Sequence, residues 1–411
     1  MSRRSRTGPR MMVARIALLG LSLILLLSGA RPAPPFKTPP TVVLISMDGV
    51  RWDYPGRDRL PAFAAMARSG WTAARLTPPF PSLTFASHAT LATGVGPSRH
   101  GIVANSFLDR TLDRRFSDEP EAAWLKAPPL WVLSERAGLK AAVRSWPCSS
   151  GPWNGTSPSM FQPYARGDHD SETAQWILDL LARPAAQRPR LIMAWTSGAD
   201  GAGHGEGPDS EGVHRAMAAA DGLLGRLRSR IAALGPSVPV DLIVVSDHGM
   251  AAVNRVVDVV KVIPKEGYFP FIAPSGPLCN VYVKNESQRR QVASGLSRLP
   301  RDVAVMTRQE ASRRFAYRDP SRTGDFVLVC PPGAMFSSFN RKGDRGQPRG
   351  MHGYDPALAE MGGIFYAEGP DFAPGRVLKD VRAVDVAPTV CACLGIPPPP
   401  MCEGVNLLRR P

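Results

Sequence analysis

The chain has 411 residues, 44% of them hydrophobic and 21% charged, with a formal net charge of +15. That balance excludes a disordered or low-complexity chain and leaves room for one large α/β domain, or for a core with a smaller insert. Five positive charges (Arg3, Arg4, Arg6, Arg10, Arg15) fall in residues 1–30, which hold no acid, so the remainder still carries about +10; such a surface suits an anionic substrate or a membrane face, and no compact Lys/Arg run with interleaved aromatics marks a specific nucleic-acid grip.

The first element in chain order is a targeting signal. The basic stretch through Arg15 precedes an apolar run, residues 16–27, and then the small residues Ser28, Gly29 and Ala30. The run is shorter than the roughly 20 residues that span a bilayer, so residues 1–30 read as a signal peptide, with an uncleaved anchor as the second reading. No cysteine follows the run at once, which argues against a bacterial lipoprotein. The expectation is a periplasmic or secreted protein with no stable membrane span after leader cleavage. Residues 31–40, with Pro32, Pro34, Pro35, Pro39 and Pro40, read as a stiff linker.

Beyond the linker, β-branched and aliphatic runs at 41–47, 191–196 and 240–246 have the length and composition of buried strands, and 363–367 makes a fourth. Helical patterns lie at roughly 60–69, 86–93, 170–182, 211–234 and 384–394. Strands alternating with helices predict a mostly parallel central sheet with helices on both faces. Residues 268–335 break this alternation: strand 280–283, helix 285–298, strand 302–306, helix 308–315 and strand 325–330 predict a small α+β insert or cap. The expected layout is thus catalytic core at 41–267 and 336–408, interrupted by the insert at 268–335.

The three best strands run into chemistry. The first ends at Met47-Asp48-Gly49, the second leads to Asp200-Gly201-Ala202-Gly203-His204, and the third to Asp247-His248-Gly249-Met250. Ligands of open α/β sheets bind beyond the carboxyl ends of the strands, so these groups can share one crevice. Clustered carboxylates repel one another unless cations intervene, and a mixed Asp/His set suits zinc. His352, in the Gly350-Met351-His352-Gly353 loop, adds a further imidazole. A proline-rich loop, Pro79-Phe80-Pro81-Ser82-Leu83, leads to Thr84 at the start of a helical run; a helix N-terminus offers free N–H groups and partial positive charge to a phosphoryl group. The plain alternative is that Thr84 or Ser82 caps the helix. Six cysteines (148, 279, 330, 391, 393, 402) allow 15 disulfide pairings in an exported chain, a reading preferred over a metal knot at Cys391, Cys393 and Cys402. The tryptophans read as core, His88 and His100 as local packing and turn ordering, His169 and His214 as solvated, and Arg349 as solvated or steering phosphate.

Together these motifs, with Phe80-Pro81-Ser82-Leu83-Thr84-Phe85, His100-Gly101-Ile102-Val103-Ala104-Asn105 and the run from Asp200 to Pro208, resemble the nucleotide pyrophosphatase/phosphodiesterase family of the alkaline phosphatase superfamily, from about Val42 to Asn406. The resemblance implies two zinc ions, one held by Asp200, His204 and His352, the other by Asp48, Asp247, His248 and the Thr84 oxygen. It implies Thr84 as nucleophile through a phospho-threonine intermediate, Asn105 as a donor to a phosphate oxygen, and Phe85 with Tyr164 as the pair that sandwiches a nucleotide base, although the wording around Tyr164 departs from the family's. The substrate class is then a small nucleotide or other phosphodiester. Rival readings are a phosphonate or choline-phosphodiester hydrolase on the same scaffold, and a non-enzymatic envelope binding protein.

Overall fold

In the strand Thr41–Met47 every residue is buried, and its side chains divide by parity as a pleat requires. Val42 and Leu44 enter one apolar core; Val43, Ile45 and Met47 enter another. Leu191–Thr196 and Val240–Val245 flank it in parallel, so that Leu44 lies between Met193 and Ile243. The computed structural model describes residues 40–165, 170–263, 270–337 and 348–409; the expected leader, residues 31–39 of the linker and His169 lie outside them. Among the described residues no helix is long and apolar enough to cross a membrane.

The central sheet has eight strands, in the spatial order Arg376–Leu378, Trp71–Ala73, Phe365–Glu368, Val240–Val245, Thr41–Met47, Leu191–Thr196, Ala141–Arg144, Met160–Gln162. All its pairings are parallel except the two made by Phe365–Glu368. Helices cover both faces, as the strand–helix alternation predicts. Thr84–Thr93, Leu130–Arg136 and Val386–Leu394 pack into one core. Pro61–Ser69, Asp170–Leu181 and the 23-residue Glu211–Ala233 helix pack into the other. Ser210 starts that long helix by accepting the Val213 N–H. Each fully buried Val, Leu or Ile of these strands contributes about 1.5–3 kcal/mol.

Residues 271–329 form a separate four-stranded antiparallel sheet, in the order Phe271–Ser275, Leu278–Tyr282, Phe326–Val329, Ala304–Thr307. One of its faces, with Ala273, Leu278 and Val327, joins the main core. The other, with Ile272, Val281 and Leu328, is covered by Val292 and Leu296 of the helix Glu286–Leu296. A buried ion pair fastens this layer down. Arg322 Nε lies 2.7 Å from Asp109 Oδ2, both nearly inaccessible, and Arg322 Nη1 donates to the Gly101 and Trp124 carbonyls. Asp109 ends the hairpin strand Ser106–Asp109, which begins one residue after Asn105.

The cysteines correct the expectation of disulfides: among the described residues none of the six is in a disulfide. Cys391 and Cys393 sit two apart on one helix, where side chains point to different sides. Burial pushes the Cys330 and Cys391 thiols up to about 12, so they behave as inert apolar groups.

Replacing Arg322 with Met leaves Asp109 as an uncompensated buried charge. The expected loss is about 3–5 kcal/mol of stability, read as a shifted denaturant midpoint; an unchanged midpoint would show the clamp to be dispensable.

Candidate active site

Asp48 follows the first strand, in a turn that only glycine permits. Gly49 has φ +65, and a Cβ there would sit 2.7 Å from Asp200 Cα. The Asp48 carbonyl accepts the Ala199 N–H, which brings the start of the helix Asp200–Glu206 beside Asp48. On that helix Asp200 and His204, four residues apart, share one face, with Asp200 Oδ1 3.2 Å from His204 Nε2. Asp247 and His248 follow the strand Val240–Val245. His352 arrives on the two-residue strand Gly350–Met351, paired with Ala251–Val257. A Cβ at Gly350 would lie 2.3 Å from the Gly203 carbonyl oxygen, so this close approach also requires glycine.

The structure brings all of these groups together. His248 Nε2 lies 3.0 Å from Asp247 Oδ2 and 3.5 Å from Asp48 Oδ1. His352 Nε2 lies 3.6 Å from Asp200 Oδ1, and the His248 and His352 rings stack with centroids 3.5 Å apart. Two metal-sized groups result, Asp48–Asp247–His248 and Asp200–His248–His352, each with ligand atoms within 4.8 Å of one another. His204 adjoins the second through Asp200 and through His352, whose ring centroid is 5.1 Å from its own.

The tautomers follow from the neighbours. Nδ1 of His204 faces the Gly350 carbonyl at 2.8 Å, Nδ1 of His248 the Gly249 carbonyl at 3.0 Å, and Nδ1 of His352 the Ser82 carbonyl at 3.0 Å. A carbonyl can only accept, so each Nδ1 carries a hydrogen, and in the neutral rings each Nε2 lone pair points at the carboxylates. Three buried carboxylate oxygens stand opposite them without a hydrogen-bond partner: Asp48 Oδ1, Asp200 Oδ1 and Asp247 Oδ2. Acceptors facing acceptors in a buried site call for protons or metal cations between them, and the donor set, Asp and His, fits zinc.

The electrostatics say the same. Burial, then Asp247 and Asp200, push the Asp48 carboxyl well above the usual carboxylate range. Burial also raises Asp247 and Asp200, but the imidazoles beside them (His248 first for Asp247, His204 first for Asp200) hold both below it. Burial and the neighbouring His248 press His352 down to about 3, so its ring is neutral. Burial alone would lower His248, yet Asp247 raises it.

Thr84 is the first residue of the helix Thr84–Thr93; Leu83 holds the N-cap position and no side chain caps the helix. The capping alternative is therefore set aside. Thr84 Oγ1 lies 3.2 Å from His248 Nε2. Ser82 Oγ instead donates to the Tyr354 carbonyl and accepts the Gly353 N–H, which fixes the His352 loop. Asn105 Oδ1 accepts the Phe85 N–H at 3.3 Å, and this orients the amide so that its NH2 group remains as a donor. A cavity of about 870 Å³ opens beside these groups, lined by Thr84, Asn105, Asp200, His204 and His352 on one side and by Arg115, Phe116, Asp118 and Phe271 on the other.

Phe85 and Tyr164 do not line that cavity. Phe85 is half-buried, edge-on to Phe116. Tyr164 is 58% exposed and packs edge-on against Trp195. Trp195 is a residue the sequence reading missed: its indole Nε1 donates to Asp48 Oδ2 at 2.9 Å, so it is not simply core. Its place one residue beyond Ala194 on a strand aimed at the site was the available signal. His88 also does more than pack. Its Nδ1 lies 2.8 Å from the Thr84 carbonyl and 3.4 Å from Asp247 Oδ2, and its Nε2 2.8 Å from Ser46 Oγ. His100 orders its turn, meeting the Ile102 N–H and Thr90 Oγ1, and His214 pairs with Asp58 at the surface.

Comparison with known proteins agrees with this geometry. The sequence model described as "Type I phosphodiesterase / nucleotide pyrophosphatase" matches residues 42–355. Mouse ectonucleotide pyrophosphatase/phosphodiesterase family member 3 is 28% identical over 394 residues, 89% of this chain and 43% of that protein; the chain thus spans less than half the length of this relative. Human bis(5'-adenosyl)-triphosphatase is 28% identical over 382 residues, 91% of this chain and 82% of its own. Among solved structures, human ectonucleotide pyrophosphatase/phosphodiesterase 5 superposes with a TM-score of 0.82 at 27% identity, covering 90% of this chain and 98% of that one. An inactive Thr-to-Ala variant of the murine protein 5, in complex with AMP, gives 0.81 at 27% identity, covering 89% and 97%.

In metal-free protein the raised Asp48 carboxyl is expected to keep its proton at a pH where ordinary carboxyl groups have lost theirs. Infrared difference spectra on adding zinc should then lose a protonated-carboxyl band that Asp48→Asn lacks, and zinc affinity should fall as pH is lowered because the proton competes. A zinc-insensitive carboxyl region would contradict this.

Proposed function

The chain belongs to the type I phosphodiesterase/nucleotide pyrophosphatase family, and on that premise we propose that it is an exported two-zinc hydrolase of nucleotide phosphodiester or phosphoanhydride bonds, with Thr84 as nucleophile. The observation that carries the reading is the trio of buried, unpartnered carboxylate oxygens on Asp48, Asp200 and Asp247, opposed by imidazole lone pairs and set beside an uncapped threonine. Asp200, His204 and His352 would hold one ion; Asp48, Asp247, His248 and Thr84 Oγ1 the other. When bound, the ions lower the pKa of the threonine hydroxyl and neutralise charge on the phosphoryl oxygens.

The chain's own groups do the rest. The N-terminus of the Thr84–Thr93 helix directs N–H groups and positive potential towards the phosphoryl group. Asn105, its amide held by the Phe85 N–H, donates to a non-bridging oxygen as charge builds there. Thr84 Oγ1 bonds to phosphorus while the bond to the leaving oxygen breaks, which leaves a phosphothreonine. Water then cleaves that ester and restores the hydroxyl. Trp195, bonded to Asp48 Oδ2, fixes the carboxylate so that its other oxygen faces His248. A nucleotide substrate is supported by the AMP held in the similar murine structure, with Phe85 and Tyr164 as candidate base contacts. A choline phosphodiester is the second reading, favoured by the Asp118 carboxylate along the cavity, an anion that suits a quaternary ammonium group.

Three outcomes are expected. Thr84→Ala abolishes turnover of bis-nitrophenyl phosphate in stopped assays while the circular dichroism spectrum stays native; retained turnover removes Thr84 as nucleophile. Asn105→Ala lowers kcat about 10²–10³-fold with little change in zinc content. A chelator stops activity and zinc restores it, and a panel of nucleotide and choline diesters, ranked by kcat/KM, separates the two substrate readings.

A further inference from the structure

A second cluster of ligand-type side chains lies away from the Thr84 centre. Asp241 is the second residue of the strand Val240–Val245, at its amino end, whereas Asp247 and His248 follow its carboxyl end; the step of six positions from Asp241 to Asp247 spans on the order of 20 Å in extended chain. Asp241 is fully buried. Its Oδ1 accepts the Asp371 N–H at 3.1 Å, while its Oδ2 is inaccessible and has no hydrogen-bond partner. A carboxylate oxygen of Asp241, one of Asp371 and the Sγ of Cys393 lie within 4.8 Å of one another.

Among the described residues, no Lys, Arg or His forms an ion pair with Asp241 or Asp371. Burial and Asp371 hold the Asp241 carboxyl well above the usual carboxylate range, and two carboxyl groups in contact, one of them wholly buried, call for a proton or a metal cation between their oxygens. The surroundings are built tightly against it. Gly369, at φ +139, approaches so closely that a Cβ would meet Asp241 Oδ1 at 2.5 Å, and the turn is closed by the Gly369–Phe372 bridge. Cys393 comes from the buried helix Val386–Leu394. Asp371 is only partly buried, which leaves an entry path.

We propose that Asp241, Asp371 and Cys393 form a structural site for one thiophilic divalent cation, zinc by its donor set, which ties the central strand, the 369–372 turn and the C-terminal helix together. Two carboxylate oxygens and a thiolate are a zinc-type set, and water from the Asp371 side completes four-coordination. Binding displaces two protons to solvent, the thiol proton and the one held between the Asp241 and Asp371 carboxyl groups, and leaves the three side chains as anionic ligands. The site is independent of the Thr84 centre, whose ligands include no sulfur.

Cobalt(II) substitution of the full chain tests this. Metal-free protein titrated with cobalt should develop a near-ultraviolet thiolate-to-cobalt charge-transfer band. The band should disappear in Cys393→Ser and persist in Cys391→Ser and in Thr84→Ala. Zinc content by mass spectrometry should fall by one equivalent per chain in Cys393→Ser and in Asp371→Asn, the partly exposed variant chosen in case substitution of the buried thiol impairs folding. Absence of the band in the wild-type protein, or a band and metal count unchanged by Cys393→Ser, overturns the proposal; so does an infrared signature of a proton shared between Asp241 and Asp371 that zinc leaves in place.

Discussion

Three imidazoles, each with its Nδ1 hydrogen committed to a backbone carbonyl, turn their Nε2 atoms toward carboxylate oxygens that have nothing else to bind. This opposition of acceptors is the constraint from which the remaining features of the site follow. It is stable only when positive charge, a proton or a metal ion, lies between the two sets, and two of the resulting groups have the spacing to hold a metal. The carbonyls of Gly350, Gly249 and Ser82 matter as much as the rings, because they fix which nitrogen is available.

The scaffold holds these groups by backbone proximity more than by side-chain packing. Gly49 and Gly350 each sit where a Cβ would collide with a neighbouring ligand segment. The three strand ends are therefore drawn together closer than ordinary residues allow. The four-stranded sheet contributes Phe271 to the cavity lining, and the Arg322–Asp109 clamp joins its layer to the hairpin that begins just after Asn105. The cavity lining thus comes from both layers, while the Asp and His clusters that could hold a metal all come from the segments around the eight-stranded sheet.

Much of this was legible before any coordinates. Buried strands announce themselves by continuous β-branched runs, and Asp48, Asp247 and His248 follow such runs directly. The Asp200–His204 spacing places both on one helical face. Less legible were the contacts made across the sheet. Trp195 reads as one more apolar residue of a strand, and only the neighbouring strand's register shows its indole meeting Asp48. His88 is likewise a helix residue until folding sets it against Ser46 and Asp247. The makeup of the cavity wall, from the 106–117 hairpin and the 271–275 strand, depends on how the small sheet docks, which no local pattern encodes. The cysteines misled because oxidation state was inferred from compartment, whereas pairing is decided by which side chains the core brings face to face.

Those thiols have a consequence for how the molecule matures. Five of the six are buried in the finished protein, and in Cys148, Cys279, Cys330 and Cys391 burial raises the thiol and so protects it from oxidants. The unfolded chain has no such shelter. In an oxidising compartment its sulfurs are open to pairing from the moment they emerge, and any bridge formed then would be foreign to the final packing. For a chain folding there, maturation would be a race between collapse of the two cores and thiol oxidation, and the route to an intact molecule would pass through speed or through a reductase, since no native bridge awaits a disulfide isomerase.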